Sequence, residues 1–152
     1  MNDRLTLETH GDPLGLVRQL LREIWQQADL AGMLVTVDTN NGLKAAPRLM
    51  ADPASVDEIN PFRPLMEVNS ACLVPELLAR QPHQRIAAIL RPCEMRALIE
   101  MTKHTSLDIY SLLTISFDCL GTLPADEYHW RLERLEKSPS QLKDNLAEPG
   151  DE

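Results

Sequence analysis

The chain has 152 residues, 43% of them apolar and only 4% aromatic, which suits one domain whose core is built mainly from Leu, Ile, Val, Met and Ala. Its formal charge is −8, half of it from residues 126–152, where eight acids face four bases. With no basic stripe anywhere, the charge argues against binding nucleic acid or an anionic membrane. Three widely spaced cysteines do not form a disulfide framework, the N-terminus lacks the pattern of a signal peptide, and no run nears the ~18 apolar residues of a spanning helix. The expectation is a soluble, cytoplasmic protein with reduced thiols.

Residues 1–12 are polar. From Pro13 to Asp29, Leu16, Val17, Leu20, Leu21, Ile24 and Ala28 recur at helical spacing, with Asp12 as cap and Pro13 at the first helical position. After Gly32, Met33–Asp38 reads as a short strand. Asn40-Asn41-Gly42 is a turn signal, and Ala46–Met50 returns as the partner strand. Three prolines between Asp52 and Pro64 leave room for one helical turn around Ala54–Ile59, followed by extended chain. A second helix runs to Arg80, either from a cap at Asn69 or Ser70 or from Val74 with Pro75 in its first turn.

Arg85–Leu90 is nearly all apolar, as a strand buried on both faces should be. Pro92 then opens a helix with Met95, Leu98, Ile99 and Met101 on or near one face, and Tyr110–Phe117 forms the next strand. Strand, helix and strand within residues 85–117 make a βαβ unit with parallel strands and a right-handed crossover. Ala125–Lys137 reads as a polar helix, and the rest as an acidic tail that serves as a docking arm or is a remnant of truncation. The fold expected is therefore α/β, a small, mostly parallel sheet flanked by helices. Its organisation is an α/β domain at 1–124, followed by a polar helix and acidic tail at 125–152.

The chemistry-bearing residues lie where the strands end. Arg91-Pro92-Cys93-Glu94 places Cys93 in the first turn of a helix, where free N–H groups and the helix dipole favour a thiolate, as a redox nucleophile or metal ligand requires. Arg91 adds a cation and Glu94 partly offsets it. A small structural cysteine at a strand end explains Cys93 equally well. Asp118-Cys119-Leu120-Gly121 occupies the equivalent place after the next strand, so both thiols emerge on one edge of the sheet. Such a pair suits two corners of an iron–sulfur cluster or a dithiol couple, although it lacks Cys-x-x-Cys spacing. Gly121 is either a turn residue or a point of close approach for a ligand. Cys72 reads as a packed core thiol. His10, His83, His104 and His129 are scattered, and no phosphate loop or nucleophile elbow occurs.

Ile89–Leu98, reading Ile-Leu-Arg-Pro-Cys-Glu-Met-Arg-Ala-Leu, and Ile115–Thr122, reading Ile-Ser-Phe-Asp-Cys-Leu-Gly-Thr, resemble the beta subunits of coenzyme F420-reducing hydrogenases and F420-linked formate dehydrogenases. Asn60–Ala71 and Gly11–Val37 extend the resemblance over most of residues 11–122. The likeness implies an oxidoreductase component that passes electrons between iron–sulfur clusters, a flavin and a deazaflavin or other acceptor. It implies Cys93 and Cys119 as ligands of a [4Fe-4S] cluster, with Arg91, Glu94, Asp118 and Gly121 around the cofactor. Family members continue with a further Cys-x-x-Cys pair. Two cysteines cannot close a four-cysteine site, so the cluster is expected to take cysteines from another chain or to be absent. FAD is also implied, but the family's small, Gly- and Ser-rich opening segment reads Gly11-Asp-Pro-Leu-Gly15 here. Asp12 repels a pyrophosphate and Pro13 removes a donor.

The function expected is an accessory electron-transfer subunit, partnered by other subunits of a redox complex or by a second copy as a homo-oligomer. The alternative is an α/β interaction or regulatory domain that keeps the scaffold without cofactors. A dithiol redox enzyme ranks below both.

Overall fold

The computed structural model describes residues 8–39, 42–105 and 107–135. The acidic tail beyond Leu135, Asn40 and Asn41 of the turn, and residues 1–7 lie outside the described residues. In chain order the elements are α1 (Pro13–Gln27), β1 (Gly32–Thr39), β2 (Lys44–Met50), a 3₁₀ turn at Pro53–Glu58, a second at Ser70–Leu73, α2 (Val74–Arg80), β3 (Ile86–Leu90), α3 (Pro92–His104), β4 (Leu112–Ser116) and α4 (Ala125–Leu135). They form an α/β fold with a four-stranded sheet in the order β2-β1-β3-β4. β1 and β2 pair antiparallel as a hairpin, while β1, β3 and β4 run parallel.

Alternation along the strands divides the apolar residues between two faces. On one face Met33, Val35 and Val37 of β1, with Ala87 and Ile89 of β3, cluster with Val17, Leu21 and Trp25 of α1. The Trp25 indole N–H, which burial would otherwise leave unsatisfied, donates to the Leu30 carbonyl at 2.8 Å. On the other face Leu34, Ile86, Ala88 and Leu90 meet Val74 and Leu78 of α2 and Leu98 of α3. β3 lies between these layers and is buried at all five positions, the reason its sequence shows no polar alternation.

Each helix begins as its sequence dictates. Asp12 caps α1 by accepting the Gly15 N–H at 2.8 Å, with Pro13 at the first position. Both readings of the second helix hold in part. Asn69 caps a short 3₁₀ turn by accepting from Ala71 N at 3.0 Å, and α2 then starts at Val74 with Pro75 in its first turn.

Three details differ from the sequence reading. Cys72 is exposed, because the 3₁₀ turn directs Ser70 and Ala71 inward and leaves Cys72 outside. Ile99 is exposed, since Leu98 alone of that helix's apolar set is fully buried. Tyr110 is fully exposed and precedes β4, which starts at Leu112. A third, small cluster joins α4 to the hairpin. Tyr128 is buried against Ala45 and Leu65, and its hydroxyl donates to Gly42 O at 3.3 Å. Leu123 N–H donates to Pro64 O at 2.8 Å, which ties the segment before α4 to the loop ahead of the second 3₁₀ turn.

Candidate functional site

The β3–β4 ladder runs from Ile86–Leu112 to Leu90–Ser116. Cys93 lies three residues beyond Leu90 and Cys119 three beyond Ser116, so the last rung of a parallel pair delivers both to the carboxyl edge of the sheet. In open α/β sheets, ligand-binding groups gather at that edge. Both cysteines are exposed and neither is in a disulfide. Pro92 takes the first position of α3 and Cys93 the second, while Cys119 follows β4 in irregular chain.

The residues flanking Cys93 are inside the protein. Glu94 is 2% exposed and Arg91 8% exposed. One Glu94 carboxylate oxygen accepts Ser70 N–H at 2.7 Å and the other accepts Arg91 N–H at 2.8 Å. Glu94 thereby caps its own helix and fastens the second 3₁₀ turn to it. The Arg91 guanidinium donates through Nη2 to the carbonyls of Arg63 and Leu65, at 2.7 and 2.9 Å. These four hydrogen bonds lock the Arg91–Glu94 segment in place, so Cys93 stands on rigid chain. Asp118 and Gly121, beside Cys119, are exposed. Gly121 has φ +109° with open space where a Cβ would stand, so its backbone conformation accounts for the glycine.

Sequence reasoning did not find a second buried cation, Arg63, which is 3% exposed. It donates to Gly42 O at 2.6 Å and pairs with the Asp38 carboxylate at the end of β1. Burial pushes the Asp38 carboxyl above its ordinary value, outweighing the opposing pull of the Arg63 charge and hydrogen bond. Burial likewise raises the nearby Tyr128 phenol, with Arg63 pulling the other way. The only available hint in the sequence was the Phe62-Arg63-Pro64 step, whose charge looks solvated until the fold covers it.

Two thiols from this chain make at most half of a four-cysteine set. Among the described residues, no group of three or more His, Cys, Asp or Glu side chains is gathered to hold a metal ion. The described residues therefore do not close a four-ligand cluster by themselves. At the N-terminus of α1 the Asp12 carboxylate accepts the Gly15 N–H at 2.8 Å, so an anionic group brought there would meet its negative charge. No helix among the described residues is long and apolar enough to cross a membrane. No family model matches the chain.

Proposed function

We propose that the chain is an accessory electron-transfer subunit of an oxidoreductase complex, of the kind its resemblance to F420 hydrogenase and dehydrogenase beta subunits implies. The carrying observation is the equivalent placement of Cys93 and Cys119, exposed at one sheet edge three residues beyond paired strand positions. In this reading they supply two ligands of a [4Fe-4S] cluster and a partner subunit, or a second copy, supplies the others. Arg91 and Glu94 position the first thiol through the buried bonds described above, and Asp118 and Gly121 flank the second. FAD has no support at the α1 N-terminus and is not assigned there.

The test compares wild type with Cys93→Ala and Cys119→Ala variants in the intact complex isolated from its native cells under anaerobic conditions. The proposal expects each variant to lose the cluster's iron and sulfide and its electron-transfer activity, while the subunits still assemble. Unchanged iron and activity in both variants would refute it.

A second reading has its own observation. Asp12 caps α1 with its own carboxylate, whose charge repels a phosphate there, and this fits a scaffold retained for interaction or regulation. Full assembly and activity in the variants would support that reading.

A further inference from the structure

The two edges of the sheet are finished differently. An edge strand turns every second residue's N–H and C=O away from its neighbour, and a further strand can join that row. On β2 the residues facing outward are Ala45, Pro47 and Leu49. The Glu67 carboxylate accepts the Ala45 N–H at 2.9 Å, and Pro47 has no N–H to offer, so Leu49 alone keeps an outward donor. Lys44 and Arg48 add charge along the same strand, which leaves this edge poorly suited to pairing.

β4, at the other edge, has none of these devices. Its sequence, Leu-Leu-Thr-Ile-Ser, carries no charge and no proline. Ile86 lies opposite Leu112 and its N–H donates to Ser111 O at 3.4 Å. The parallel ladder therefore turns Leu113 and Ile115 towards β3, and Leu112, Thr114 and Ser116 outward. The Leu112 N–H is used locally, donating to Ile109 O at 3.0 Å. Among the described residues, the Thr114 and Ser116 N–H groups have no hydrogen-bond partner. Large apolar side chains stand exposed beyond both ends of the strand, Tyr110 fully and Leu120 at 49%.

We infer that the open edge of β4 is an interaction surface for a second copy of this chain, the two strands pairing antiparallel about a two-fold axis at Thr114. That register is self-complementary. Thr114 N–H and C=O meet the same groups of the second copy, and each Ser116 N–H meets a Leu112 C=O, so both free donors gain acceptors. It also carries Tyr110 of each copy towards residues 118–120 of the other, where Leu120 is exposed. Five residues per strand make an interface smaller than the roughly 1,200–2,000 Å² of stable complexes, so the association is weak and reversible. Cys93 and Cys119 of the two copies fall at opposite ends of the joined sheet. The pairing therefore completes no cluster and stands apart from the electron-transfer reading.

The test is sedimentation equilibrium of the full chain from about 10 µM to about 1 mM, with amide hydrogen exchange at both ends of that range. A reductant is kept present to exclude disulfide dimers. The apparent mass should rise from 17.1 kDa towards twice that value, and the Thr114 and Ser116 amides should exchange more slowly in the concentrated sample. Thr114→Pro removes an outward N–H but no bond to β3, so it should weaken association about tenfold or more in a folded chain. If that variant does not fold, Thr114→Lys, which sets two like charges opposite each other, should do the same. A monomer throughout the range, as an edge reserved for a different protein would give, would overturn the assignment. So would a dimer that a folded Thr114 variant leaves unchanged, or one in which exchange at Thr114 and Ser116 does not slow.

Discussion

Asp38 is held by two opposed influences, burial and the Arg63 guanidinium, and burial prevails. Its folded pKa is raised, so the folded protein binds the proton more tightly than the unfolded chain. Its contribution is therefore fully present below the ordinary value of 3.8 and is lost as pH rises through the elevated folded value. The stability of wild type relative to Asp38→Asn should accordingly decline as pH rises from 3.8, measured by urea unfolding at a series of pH values. A relative stability that grows over that window would mean that Arg63 prevails. Glu94 gives a second test. Glu94→Gln offers one oxygen where two N–H groups need acceptors and sets an NH₂ against the other donor. Urea unfolding should show a loss of about 1–3 kcal/mol, the cost of a buried donor left unsatisfied. The burial of these charged residues was illegible in the sequence because their partners are distant, Arg91 meeting carbonyls at 63 and 65 and Glu94 the amide at 70. The local sequence around Arg63 and Glu94 carries no sign of enclosure, and only the fold shows that both are buried.

At the scale of elements, local chemistry carried further. Asp12-Pro13 set the start of α1, the apolar run of β3 announced burial on both faces, and Gly42 closes the hairpin with φ +86°. What local chemistry could not settle was rotation about short elements. A single 3₁₀ turn decides whether Cys72 faces in or out, and its sequence, Ser-Ala-Cys-Leu, has too few residues to show a period. The structure leaves all three cysteines exposed, so the native chain should react with three equivalents of a disulfide reagent without denaturant. A thiol that reacts only after unfolding would contradict this, most pointedly if it were Cys72. α4 offers a further test, since its sequence reads as a polar helix while Tyr128, fully buried, fills the cluster under the hairpin. Tyr128→Ala should cost about 3–5 kcal/mol by analogy with other buried aromatics. Tyr128→Phe, losing only one long hydrogen bond, should cost about 1 kcal/mol or less. Equal losses in the two variants, measured by urea unfolding, would show that the hydroxyl rather than the ring secures the helix.

For the whole molecule, the sheet order gives the two thiols their places. Parallel pairing of β3 with β4 brings Cys93 and Cys119 to one edge, as their positions after two apolar strands led the sequence reading to expect. Pairing of β1 with β3 ends at Leu34–Ala88, an outcome set by contacts across more than fifty residues, and nothing in either strand's own sequence marks it. The proposed role as a partial cluster site requires that the thiols acquire iron in company. The most direct measurement is iron and acid-labile sulfide per subunit, with the visible spectrum, in the complex purified anaerobically from native cells, for wild type and for a Cys93→Ala, Cys119→Ala double variant. The account predicts a brown wild-type complex with about four irons at the shared site, and a double variant that assembles but lacks them. Equal iron in the two complexes, or a wild-type complex without any, would contradict it.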